Sequence, residues 1–135
     1  MSIFFSKAIY IHIQLIIYYF YIYSNMKHLI WLDDIRDPIL FIKGNISNYD
    51  IHWVKNYNEF VSKYDSLKII PDLEISLDHD LGEELTGYDC VKYVVNDCME
   101  RNAPLPLINV HSSNPVGRTN IIMYINNYKK NTKPI

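Results

Sequence analysis

From Met26 onward, short apolar runs alternate with amphipathic stripes four times, and few architectures accept that order. His28–Leu32 (HLIWL) is a continuous apolar run, suited to a strand buried on both faces of a parallel sheet. It stops at Asp33-Asp34. Asp37 then offers an N-cap, Pro38 a first helical residue, and ILFIK a short helix closed by Gly44. Tyr49–Val54 (YDIHWV) reads as a second strand. Asn56 caps the next helix, with Glu59 at capping-box spacing and Tyr57, Phe60, Val61 and Tyr64 as its apolar stripe. Leu73–Leu77 (LEISL) is a third strand, ending at Asp78. Thr86 caps a further helix with Asp89 in the capping-box place, and Tyr88, Val91, Val95 and Cys98 recur on one face. Leu107–Val110 (LINV) is the fourth strand, and HSSNPVG leads into a last helix carrying Ile121, Ile122 and Ile125. Strand and helix in this rhythm mean parallel strands joined by right-handed crossovers. The expected fold is α/β: a doubly wound parallel sheet of about four strands with helices on both faces.

A chain of 135 residues holds one such domain, here residues 26–130 with a tail at 131–135. Its charge of −2, with 13 basic against 15 acidic side chains, excludes an extensive nucleic-acid or membrane-coating surface. Any nucleic-acid contact is therefore local, at an end or a single nucleotide. Cys90 and Cys98 lie eight apart on one helix without metal-ligand spacing, and read as buried thiols of a reducing, cytoplasmic setting. Residues 1–25 differ from the rest, and three readings stand for them. They are an apolar leader outside the native fold, with Met26 as the true start, or a membrane anchor over residues 8–23, or an ordered extra helix. Against the anchor, the stretch is short of the ~20 apolar residues a span needs and carries His12, Gln14 and several interface-preferring tyrosines. A secretory signal would need a small-residue cleavage site near Tyr23–Asn25, and none is present.

In a doubly wound sheet the ligand crevice lies beyond the carboxyl ends of the strands. There the first strand delivers Asp33-Asp34, the third Asp78-His79-Asp80 and the fourth His111-Ser112-Ser113-Asn114. Four carboxylates in one crevice repel unless a cation neutralises them. Asp33, Asp34, Asp78 and Asp80 are thus candidate ligands for a hard divalent metal, Mg²⁺ first and Mn²⁺ next. Phosphate is the natural second ligand. The last helix begins at Ser113 or Asn114, so its free N–H groups and positive end face the crevice, with Ser112, Ser113, Asn114 and Arg118 as phosphate-binding candidates. His79 and His111 are the acid–base candidates. A carboxylate neighbour is expected to raise the imidazole pKa toward neutrality. His12 and His28 have no companions of interest, and His52 reads as structural.

LDDIRDP, SLDHDLG, TGYD and VHSSNPVG, in this order, resemble the cyclic-phosphate-processing receiver, a divergent relative of response-regulator receivers, over residues 27 to about 128. The resemblance implies a receiver-like fold in which Asp33 and Asp34 hold Mg²⁺ and Asp78 stands at the phosphoacceptor position. Leu81 and Thr86-Gly87 match the spacing that follows that aspartate, and either His111 or Ser112 falls at the receiver's switch hydroxyl. Receivers have a fifth strand ending in a phosphate-pairing lysine, and none follows here. Lys129 and Lys130 are poor substitutes, whereas Asp80, His79 and His111 are additions.

These departures favour chemistry on a phosphoester over an aspartyl-phosphate relay. The expected function is metal-dependent processing of a phosphoester, with Asp78, His111 and His79 as catalytic candidates. The resemblance implies a 2′,3′-cyclic phosphate at an RNA end as substrate, and hence RNA repair. The alternative is a non-enzymatic, receiver-like module that binds metal and a protein partner.

Overall fold

The computed structural model describes residues 3–132. Its elements run α1 (Ile3–Asn25), β1 (Lys27–Leu32), α2 (Pro38–Phe41), β2 (Tyr49–Val54), α3 (Tyr57–Leu67), β3 (Glu74–Leu77), α4 (Gly87–Arg101), β4 (Leu107–Val110) and α5 (Pro115–Asn131). The four strands are all parallel, in the order β2-β1-β3-β4. Chain order thus starts inside the sheet and winds outward in both directions, as a receiver-like α/β fold does. Lys129 and Lys130 close α5, and of the tail only residues 131 and 132 are described.

The caps follow the sequence. The Asp37 carboxylate accepts from the Ile39 N–H, with Pro38 first in the helix. The Asn56 side chain accepts from the Glu59 N–H at 2.9 Å. The Thr86 N–H donates to Asp89 at 2.8 Å, completing a capping box. Each satisfies donors that a helix start leaves without partners.

Side chains alternate across a strand. On one face Ile30, Leu32, Ile75 and Leu77 join Phe60 and Tyr64 of α3, Val91, Val94, Val95 and both cysteines of α4, and Ile121 and Ile125 of α5 in a single core. The other face carries Leu29, Trp31 and Ser76, and Ile42, Lys43, Asn45 and Ile46 line a cavity of about 270 Å³ against it. Helical cover on both faces was expected, yet the long helices α3, α4 and α5 all share one face. Right-handed crossovers explain this for α3 and α4. The β2→β3 and β3→β4 connections step one way across the sheet, whereas β1→β2 steps the other way. The latter alone serves the second face, and it contains only the four-residue α2.

Residues 3–25 form the helix α1. Its apolar side chains, Ile16, Tyr19 and Phe20 among them, are exposed. The Met26 N–H continues it by donating to the Ile22 carbonyl, and the Tyr23 ring meets the His28 ring edge-on. No helix among the described residues is long and apolar enough to cross a membrane.

The turn before α4 brings the helix hard against the end of β3. The Gly87 N–H donates to the His79 carbonyl at 2.8 Å, and a Cβ at Gly87 would collide with the Asp78 carbonyl. Gly87→Ala should therefore lower unfolding stability by about 1–3 kcal/mol through overpacking. A urea midpoint equal to that of the wild type would show that the contact is dispensable.

Candidate functional site

The ladder of hydrogen bonds runs one residue past the strands. The Asp33 N–H donates to Val54, the Asp78 N–H to Leu32 and the His111 N–H to Leu77, at 3.1, 2.8 and 3.0 Å. Because Leu32, Leu77 and Val110 are in register, Asp33, Asp78 and His111 stand abreast. By alternation they point to the thinly covered face, with Trp31 and Ser76 two residues before them.

Asp33 is buried, at 1 % exposure, and its two oxygens divide the work. Oδ1 accepts from the Ile35 and Arg36 N–H groups at 2.9 and 2.7 Å, closing the turn after β1. Oδ2 meets His111 Nε2 at 3.1 Å and lies 3.6 Å from the Arg36 guanidinium. Asp78 Oδ1 accepts from its neighbour's N–H at 2.7 Å, and Oδ2 lies 4.0 Å from Arg36. Asp33, Asp34 and Asp78 each offer an oxygen to a common point, all within 4.8 Å of one another. The Asp34 carboxylate makes no hydrogen bond or ion pair among the described residues. Three carboxylates against one guanidinium leave two negative charges uncompensated, and the donors are all hard oxygens. That donor set fits a divalent cation of the Mg²⁺ type. Asp80 is not of this group. Its carboxylate takes the Asn114 amide at 3.2 Å and faces His79 Nδ1 at 3.1 Å, contacts that hold its pKa below the usual carboxylate value.

His111 is clamped. Its ring stacks on Trp31 at 3.8 Å between centroids and 5° between planes. Asp33 is an acceptor, so Nε2 carries the proton, and Nδ1 is left to accept from the Ser76 hydroxyl at 2.8 Å. Burial pushes the imidazole pKa down, and the Asp33 carboxylate only partly opposes it. The expectation of a raised His111 pKa is therefore corrected, because desolvation under the indole outweighs the neighbouring charge. His79 packs against α5 at Gly117, where a Cβ would collide with the imidazole, and its side chain is 18 % exposed.

Of the phosphate-binding candidates, Ser113 lies at the mouth of α5, its hydroxyl accepting from Arg36 at 3.3 Å. Asn114 is the N-cap, taking the Gly117 N–H at 3.0 Å. Ser112 is buried, and its hydroxyl accepts from the Asn114 N–H. His111, not Ser112, thus presents its side chain to the carboxylates. The Arg118 guanidinium is exposed and makes no hydrogen bond or ion pair among the described residues. Sequence reading missed Arg36, whose guanidinium also donates to the His111 carbonyl at 3.0 Å. It missed Ser76 as well. The signals were there: one of few arginines in a strand-end loop, and a lone hydroxyl two residues before Asp78 on the same face.

The direction of the His111 shift has a thermodynamic consequence. Below its ordinary value of 6.5 the unfolded chain binds more protons than the folded one. This group's contribution to stability is therefore complete above about pH 6.5 and lost as pH falls toward the lowered folded value. NMR titration should place the His111 midpoint below the ordinary 6.5, and a higher midpoint would refute the burial argument.

Two comparisons returned nothing: no curated protein and no solved structure matches the chain. A family model described as the cyclic-phosphate processing receiver domain does match, over residues 28–127, which begins after α1 and contains every element from β1 to the main body of α5. The chain belongs to the cyclic-phosphate processing receiver family.

Proposed function

We propose that this chain hydrolyses a cyclic or terminal phosphoester, a 2′,3′-cyclic phosphate at an RNA end being the substrate that best fits the family's description. The observation that carries the reading is the bridge made by Arg36. One guanidinium spans the carboxylates of Asp33 and Asp78, the His111 carbonyl and the Ser113 hydroxyl at the start of α5. A phosphate set there meets a fixed cation, a helix N-terminus and a hydroxyl together.

Asp33, Asp34 and Asp78 would hold the divalent cation, which when bound supplies Lewis-acid polarisation of a phosphoryl oxygen. Arg36 and the α5 N-terminus stabilise the negative charge that grows on the other oxygens. His111 has both nitrogens engaged, so it is best read as a positioning residue that aims Asp33 Oδ2. His79 is the better proton donor. Asp80, itself held by Asn114, orients its Nδ1 and leaves Nε2 as the working atom, the logic of a carboxylate–imidazole pair. Water adds to phosphorus, one ring P–O bond breaks, and the ribose oxygen leaves with the proton of His79. The proton shed by the water restores the imidazolium.

The test is turnover of RNA oligomers with 2′,3′-cyclic phosphate ends, in Mg²⁺ or Mn²⁺ and in EDTA. Asp78→Asn and EDTA should abolish it. His79→Gln should cost roughly 10²–10⁴-fold in kcat, as loss of a general acid does. Arg36→Ala should cost about 10²–10³-fold. His111→Gln should act through the Mg²⁺ requirement. Mg²⁺ binding without turnover by the wild type would replace this reading with a non-enzymatic, metal- and partner-binding receiver module.

A further inference from the structure

At the opposite end of the same strands lies a second cluster, roughly 16 Å along β1 from Asp33. His28 of β1 pairs in register with Asp50 of β2, and His52 follows on the same face of β2. Side-chain alternation therefore aims all three at one point. His28 Nδ1 lies 3.1 Å from His52 Nε2, and Asp50 Oδ2 is 3.5 Å from His52 Nε2 and 3.7 Å from His28 Nδ1. The imidazoles are stacked 11° from parallel. His28 is buried, with the Tyr23 ring of α1 against its edge, whereas the Asp50 side chain is 40 % exposed. One side is thus fixed by packing and the other is open to solvent.

We infer that His28, Asp50 and His52 form a zinc site, three protein ligands with the remaining position open to water. The geometry points there because bonds of about 2.0–2.2 Å to zinc place tetrahedral donors about 3.3–3.6 Å apart, and the three observed separations bracket that range. Two imidazoles and one carboxylate are a borderline donor set. Such a set suits Zn²⁺ and suits Mg²⁺ poorly, since Mg²⁺ demands oxygen ligands. The ion would tie β1 to the edge strand β2 directly beneath the root of α1. Its binding energy would then add to the stability of that corner of the fold. The site shares no residue with the strand-end carboxylates, so the inference stands whether or not the phosphoesterase reading does.

Zinc titration of the full chain by calorimetry, in excess Mg²⁺, should show one Zn²⁺ bound per chain, and Co²⁺ in its place should give the intense visible bands of a tetrahedral site. Asp50→Asn, chosen because the side chain is partly exposed and the change conserves shape, should weaken Zn²⁺ by more than the roughly 10–100-fold that loss of an outer-shell partner costs. His52→Gln should do the same, with circular dichroism verifying that both variants fold. Asp78→Asn should leave Zn²⁺ affinity unchanged. No zinc uptake by the wild type would overturn the inference, leaving a plain imidazole–imidazole hydrogen bond. Zinc binding that is lost in Asp78→Asn but kept in Asp50→Asn would overturn it equally.

Discussion

The candidate site depends on three backbone hydrogen bonds that continue the sheet beyond its last strand residues. They hold Asp33, Asp78 and His111 in the register of Leu32, Leu77 and Val110. A parallel ladder transmits register rigidly, and a slip of one residue would turn every side chain to the opposite face. The apolar residues just before the site prevent that slip. Leu32 and Leu77 are fully buried beneath α3–α5, so moving either strand by one residue would drive Asp33 or Asp78 into the core. Core burial and site geometry are therefore one constraint. The two tryptophans lock the turn that follows, Trp31 donating to the Arg36 carbonyl and Trp53 to that of Asp33, at 2.9 and 2.7 Å.

Burial sets the electrostatics. Asp33 is excluded from solvent, and a carboxylate there needs every oxygen satisfied. Two N–H groups, one imidazole N–H and a nearby guanidinium meet that need. His111 shows the competition openly. Asp33 and Asp78 favour its charged form, desolvation opposes it, and desolvation wins. A neutral imidazole with an acceptor nitrogen then accounts for Ser76, whose hydroxyl would otherwise be a polar group without purpose in a buried strand.

Strand positions, caps and the convergence of the acidic strand ends were legible because they are local. A period of two, a capping residue with its partner three positions on, and the crevice rule for parallel sheets need no long-range information. Three features were not legible. The bare second face follows from the brevity of α2: the short helix was read from the sequence, but not that it alone would serve that face. The split of Asp80 away from Asp78 depends on the side-chain amide of Asn114, thirty-four residues later. The meeting of His28 with His52 depends on strand register, and register is a property of the pair. A solitary histidine in a strand carries no sign of the partner that another strand will bring.

In ordinary receivers a fifth strand supplies a cation opposite the phosphoacceptor position. Here that strand is absent from the described residues, and Lys129 and Lys130 sit in the last turn of α5. Arg36 is the cation beside the acidic group, 4.0 Å from Asp78 and anchored to the His111 carbonyl. The substitution is not neutral. A lysine is a mobile point charge, whereas arginine presents a planar fork that holds its proton and can grip two oxygens of a phosphate together. It also issues from the turn that Asp33 Oδ1 closes, so its position is coupled to the acidic group itself. A cation built into the turn at the acidic group moves only with that group, whereas a cation on a separate strand can move independently of it.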